Sequence, residues 1–460
     1  MFDKKRIAWI LLLAIKIFFI GLVLQFILHT FVTFQLWRDN FFRKIMRSWK
    51  ELWIMWAIAL IWSRWYNTRT KIREFRETFP LRKYVIIFSA TILIVLIWWL
   101  FITKVWLWNT IVSLRYSMTG FALFIIGCIL AIIYIKENSI KRELWYTKFI
   151  KYLLIWGLIW RRLVYFLPAF IELFWYNQHV YEWQVWMQPP AAYYTDIKEW
   201  MVRNQFLFER PIHWWMFLVM FWPLFFIVAI RNKSIQSQLM RGSIYGLNIL
   251  STVSRAAWIA WIVQTAILLA ISNRQQTKKM IIYWFIPALI ALGWFTYRAK
   301  DAIIHRSSSN LWHIKYTLTA IQKVWEKPIR WRWPWIAWPA SHHRSDIQSY
   351  NPENQYLQIW LEYGVLWLGW RLYLYLRLHI IGYRSYRRLE EEKLTKEQRY
   401  QSRVIIALSL WLLGLSIEWF FLHSFVDRMI VYPSMLLFGI CFGVYYKHFH
   451  HDYKNQRELK

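Results

Sequence analysis

The chain has 460 residues, 58% of them hydrophobic, and carries 58 Lys and Arg against 25 Asp and Glu, a net charge of +33. Apolar runs of near-spanning length recur along it, which excludes an ordinary soluble enzyme and predicts an all-α, polytopic membrane bundle. Two cysteines, Cys128 among them within an apolar run, exclude a disulfide framework and a thiolate zinc centre. The basic excess sits beside apolar runs, so anionic membrane lipids rather than nucleic acid are the expected partners.

In chain order, MFDKKR precedes an apolar run too long for a signal-peptide core, and no small-residue cleavage site follows it. About twelve spans are predicted, near 7–30, 48–65, 84–103, 118–135, 147–168, 211–230, 242–254, 256–272, 280–297, 355–381, 403–421 and 429–446. The seventh and eighth are short and also readable as one broken helix. Basic junctions alternate: Lys4, Lys5 and Arg6; Arg69 to Lys83; Lys141, Arg142 and Lys148; Arg231 to Arg241; Arg274 to Lys279; Arg384 to Arg399. With twelve spans all of these fall on one side, which puts both termini in the cytoplasm. The expectation is a single membrane domain over 1–460, with outer loops at 169–210 and 298–354 and a cytoplasmic loop at 382–402. The stretch 389–403, LEEEKLTKEQRYQSR, reads as a solvated helical linker.

The first outer loop contains IKEWMVRNQFLFERPIHWW, in which Arg203 and Arg210 are seven positions apart. On a helix that spacing puts two guanidinium forks on one face, able to grip a diphosphate or to meet interfacial lipid phosphates. Arg255 lies in LSTVSRAAWIA between two apolar runs. A charge there is expensive, and either serves function or pairs with an acid such as Glu418. Arg161 and Arg162 interrupt the fifth span and either line a site or snorkel to the surface.

The second outer loop opens with RSSSNLWHIKYTLTAIQKVWEKPIR, an amphipathic helix. It leads into KPIRWRWPWIAWPASHH (327–343), where Trp331, Trp333, Trp335 and Trp338 surround Pro334 and Pro339. Tryptophan is out of place in such a turn; glycine there would give an anion-cradling loop. The whole chain has 36 Trp and only 13 Gly, whereas glycine usually makes up about 7% of residues. We therefore read the gene as using UGA for glycine, against the simpler alternative of a heavy aromatic belt. His342, His343, Glu353, Asn354 and Tyr356 follow before the tenth span, the residue types that activate a hydroxyl by general-base catalysis. The loops hold no acidic metal-binding cluster and no phosphate-loop lysine, so neither a metal nor a cofactor is expected.

Several stretches resemble the O-antigen ligase and polymerase family of bacterial inner-membrane glycosyltransferases. They are SLRYSMTGFALFIIG (113–127), EWMVRNQFLFERPI (199–212), STVSRAAWIA (251–260), SSSNLWHI (307–314), the 328–343 loop, PENQYLQIWLEYGVLWLG (352–369) and HSFVDRMIVYP (423–433). The resemblance implies transfer or polymerisation of undecaprenyl-diphosphate-linked glycan repeat units onto an acceptor hydroxyl at the outer face of the cytoplasmic membrane. The acceptor is another glycan, a lipid core or a protein. It implies Arg203 on the diphosphate, Arg255 and Arg210 neutralising the leaving group, and Glu353, His342 or His343 as base. Arg306, His313, Trp331, Trp333, Trp335, Trp338, Asn354, Tyr356, His423 and Asp427 are implied as substrate contacts. The ligase branch has histidine where this chain has Glu353, followed by asparagine, serine or glutamine, which favours a polymerase here. The rival expectations are a flippase for the same lipid-linked glycans and an oligosaccharyltransferase acting on protein.

The family carries glycine at the positions of Trp312, Trp331, Trp333, Trp335, Trp338 and Trp367, so these six codons should be UGA. Peptide mass spectrometry of the protein from its native host should find glycine at each. UGG codons with genuine tryptophan would sink the codon reading and the anion-binding turn together.

Overall fold

The computed structural model describes residues 119–129, 211–227, 234–271, 286–298, 307–326, 354–389 and 396–421, with isolated positions elsewhere. Among the described residues every regular element is helical and no strand occurs, as the apolar periodicity predicts. The elements are α1 (119–129), α2 (Pro211–Phe225), α3 (Ile235–Ser251), α4 (Arg255–Ala270), α5 (Ile286–Arg298), α6 (Ser307–Glu326), α7 (Gln355–Leu389) and α8 (Lys396–Glu418). The chain divides into two units, 1–65 with 134–304 and 66–133 with 305–460.

In the first unit α2 is the core. Its sequence is apolar on every side, and Trp214, Met216, Leu218, Val219, Met220, Trp222 and Leu224 are all fully buried. A helix with no polar face needs cover all round, and α3 and α4 provide part of it. Tyr245 of α3 donates its hydroxyl to the carbonyl of Leu218, close to Pro223, which has no N–H of its own for the helix ladder. Trp222 donates its indole N–H to Thr265 Oγ1 of α4 at 2.9 Å, and Thr265 in turn donates to the Trp261 carbonyl at 2.6 Å. Both contacts satisfy polar atoms inside an apolar core, worth about 1 kcal/mol each.

The second unit is organised around α7 and α8. Small residues let helices come close: a methyl group on Gly382 would overlap Ser409, and His379 Nδ1 lies 3.0 Å from Ser409 Oγ. Gly127 of α1 and Gly439 make a second close crossing, each facing the other segment's backbone carbonyl, of Leu436 and Phe124 respectively. The rings of Phe124 and Phe438 are centred 5.2 Å apart beside that crossing.

α7 is not one helix. At Gly364 the backbone takes φ 82° and ψ 170°, a conformation essentially restricted to glycine, and the helix breaks there. The first arm, 355–363, folds back toward the second, 365–389. Trp419 at the end of α8 packs on Tyr356 of the first arm (6.1 Å) and on Tyr375 of the second (5.0 Å), so those two rings are within about 11 Å. A straight helix would separate the two residues by about 28 Å. This corrects the expectation of one continuous span over 355–381. The cause is a single residue's backbone freedom within an apolar run whose side chains give no warning of a bend.

Among the described residues no helix is long and apolar enough to cross a membrane. α2 to α5 have 13 to 17 residues, against about 20 for a span. α7 and α8 are longer but carry arginines, including Arg371, Arg377, Arg384 and Arg403. The predicted spans at 7–30, 48–65 and 147–168 lie outside the described residues.

Candidate functional site

The described candidate residues and buried polar groups gather mainly in two places, one in each unit. In the first, α3 and α4 meet at the predicted STVSR stretch as two helices joined by a tight turn. The α3 carbonyls that would be orphaned there are taken up locally. Ser251 donates to Asn248 O at 2.7 Å, Thr252 to Ile249 O at 2.6 Å, and the Trp258 indole to Ile249 O at 3.2 Å. Val253 is held at φ 50°, a costly conformation for a β-branched residue. Ser254 caps α4 by accepting from Ala257 N. The four residues 251–254 are buried, and Arg255, first residue of α4, is exposed. The turn therefore aims a guanidinium outward from a rigid base.

The second place is the junction of the first arm of α7 with the end of α8. Asn354 uses all of its amide. Its Oδ1 accepts from the backbone N–H groups of Tyr356 (3.0 Å) and Leu357 (3.1 Å), capping α7, while its Nδ2 donates to the Phe420 carbonyl at 3.2 Å. Gln355 N donates to Trp419 O at 3.0 Å, and Tyr356 donates its hydroxyl to Ser416 O at 2.8 Å. Each helix end thus answers the unsatisfied groups of the other. Glu353 immediately precedes this cap in the sequence.

Within a mostly apolar interior, α7 and α8 also bury polar side chains. Gln355, Gln358, Glu362, Arg371 and Glu418 are buried. Arg371 donates from Nε to the Tyr375 hydroxyl at 2.6 Å, and its guanidinium lies over the Trp419 ring at 5.6 Å and the Tyr375 ring at 5.8 Å. Aromatic faces stabilise a desolvated cation by about 2 kcal/mol. Glu418 is fully buried, and neither carboxylate oxygen has a hydrogen-bond partner among the described residues. The set offers a fixed positive charge between aromatic walls and a carboxyl shielded from water.

Of the residues predicted from sequence, Arg255, His313, Asn354 and Tyr356 are described. Asn354 and Tyr356 come together at the α7–α8 junction, where both hold the backbone in place. His313 is half-buried on α6 in the second unit, and Arg255 belongs to the first. Arg203, Arg210, Arg306, Trp331, Trp333, Trp335, Trp338, His342, His343, Glu353, His423 and Asp427 lie outside the described residues. So does the side chain of Trp312, whereas Trp367 is buried with its ring 6.0 Å from Tyr363 and 5.4 Å from Trp370. Sequence reasoning missed Arg371 and Glu362, although a lone Arg or Glu in an apolar run is itself a signal of function.

If Asn354 acts as cap and tie, Asn354→Ala should lower unfolding stability by about 1–2 kcal/mol, measured by thermal melting of the purified protein in detergent. Asn354→Asp keeps the cap oxygens and should lose less. An Asn354→Ala protein as stable as the parent would remove the role. No family model, curated protein or solved structure matches the chain.

Proposed function

We propose that the chain is a polytopic helical protein of a bacterial cytoplasmic membrane, both termini cytoplasmic. In this reading it transfers or polymerises undecaprenyl-diphosphate-linked glycan repeat units onto an acceptor hydroxyl at the outer face, without a metal. The observation that carries the membrane part is the polarity of α7. Between Gly364 and Tyr383 its exposed residues are Gly369 and the apolar Val365, Leu366, Leu372, Tyr373, Leu376 and Tyr383, with Arg384 and Arg387 exposed only toward its end, while Gln358, Glu362, Arg371 and Ser385 are buried. Water as solvent favours the reverse arrangement; lipid favours this one. α5 exposes a similar stripe of Ile286, Ile290, Trp294 and Tyr297.

The chemistry rests on the resemblance and on the junction at Asn354–Gly364, the part of the resembling motif that the fold uses most heavily. Arg203 would hold the diphosphate, and Arg255, with Arg210, would offset charge on the leaving group. Glu353, or His342 or His343, would take the acceptor's proton. A well-placed cationic donor of this kind is worth about 3–4 kcal/mol in the transition state. Polymerase action is favoured over ligase action because glutamate stands in the ligase histidine's place. A sugar, a lipid core or a protein fits this chemistry equally as acceptor, since all present a hydroxyl.

A flippase is the second reading, favoured by the broken helix at Gly364 beside buried Glu362, Arg371 and Glu418. The two readings separate in cells. Glu353→Gln should abolish glycan polymer, and Arg255→Ala should slow its formation about a hundredfold. In both, single lipid-linked repeat units should accumulate on the outer leaflet, with normal amounts of the variant protein in the membrane. Repeat units confined to the inner leaflet would overturn the transferase in favour of the flippase.

A further inference from the structure

α6 has two apolar faces, and among the described residues only one of them is packed against. Ala320 and Val324, with Tyr316 beside them, pack on Leu357, Trp360 and Leu361 of the first arm of α7. On the far side Leu311, Ile314, Leu318 and Trp325 are 65%, 57%, 60% and 71% exposed. At about 100° per residue these four fall within a stripe roughly 60° wide, set well away from Ala320. Exposed Lys315 adjoins the stripe, and the Thr319 hydroxyl bonds back to the Lys315 carbonyl at 2.9 Å.

The charge around the helix indicates what covers that stripe. From Arg298 to Arg332 the chain has eight Lys and Arg against two Asp and Glu. Each such cation near an anionic lipid surface contributes about 1 kcal/mol. The apolar stripe is narrow and polar residues flank it, the pattern of a helix lying in an interface rather than crossing it. Trp325, the most exposed of the four, is the residue type that seats at headgroup level.

We propose that α6 lies in the plane of an anionic bilayer surface, with Leu311, Ile314, Leu318 and Trp325 dipped into the headgroup–acyl boundary. The helix then acts as a depth gauge. Because it carries the first arm of α7 on its other face, it holds the Asn354 cap at headgroup level. That is where the diphosphate of a lipid-linked substrate resides, so the inference rests on the membrane reading above and supplies a position for its chemistry.

The test uses the full chain on a cysteine-free background, reconstituted into phosphatidylcholine vesicles with roughly a third phosphatidylglycerol, an anionic surface of the required kind. Nitroxides are attached singly to Leu311→Cys, Leu318→Cys, Lys315→Cys and Leu376→Cys, and collision with oxygen is compared with collision with a water-soluble nickel chelate. Positions 311 and 318 should favour oxygen several-fold, at a depth of about 5–10 Å, while 315 favours the chelate. Chelate-dominated collision at 311 and 318 would overturn the proposal, as would exclusion of both reagents, which means protein covers the stripe. Leu376, exposed on α7, separates the two levels of failure. If 376 favours oxygen and 311 and 318 do not, only this inference falls; if 376 also favours the chelate, the membrane reading falls with it.

Discussion

At φ 82° and ψ 170°, Gly364 occupies backbone space that a side chain would make prohibitively strained, and the second unit is arranged around that residue. The bend returns the first arm of α7 to the end of α8, so that one tryptophan, Trp419, serves both arms. Asn354 and Gln355 can then satisfy carbonyls of Phe420 and Trp419, and α6 obtains the surface of Leu357, Trp360 and Leu361 on which it packs. An unbroken helix would carry the first arm away from all of these partners, leaving helix termini unanswered at a cost of about 1–3 kcal/mol for each buried group.

The same bend explains why polar residues collect where they do. Buried Arg371 is tolerable because two aromatic faces and a phenol oxygen replace part of its hydration. Glu418 has no such compensation among the described residues, and burying a carboxyl in that way is costly. The exposed apolar residues of α5 and α7 are the observations on which the proposed membrane setting rests.

Much of this was legible in the sequence because it depends on local chemistry. The apolar run after Asn354 announced the start of α7, though not its break at Gly364, and the apolar periodicity of 307–326 announced α6. The STVSR stretch marked the α3–α4 turn, though not that Val253 would take a positive φ. What stayed hidden depends on contacts distant in sequence. Nothing in LEYGVLWLGW distinguishes a glycine at a bend from one inside a helix: Gly369, five positions on, sits in the helix with open space around it. Nor does the sequence reveal that Arg371 and Trp419 meet, since their helices are brought together by the Gly382–Ser409 approach. Tryptophan 331–338 and the Glu353 side of the site belong to residues outside those described, so their part of the chemistry stands on resemblance.

The fold-back at Gly364 is the physical claim on which the junction, the setting of Arg371 and the packing of α6 all depend, and a distance across it tests that claim directly. Nitroxides at positions 357 and 376, one on each arm, can be measured by pulsed dipolar spectroscopy in the full-length protein. The folded-back arms predict a separation below about 20 Å, whereas a continuous helix of nineteen intervening steps would give about 28 Å. The shorter distance supports the elbow; the longer one contradicts it and dissolves the site built upon it.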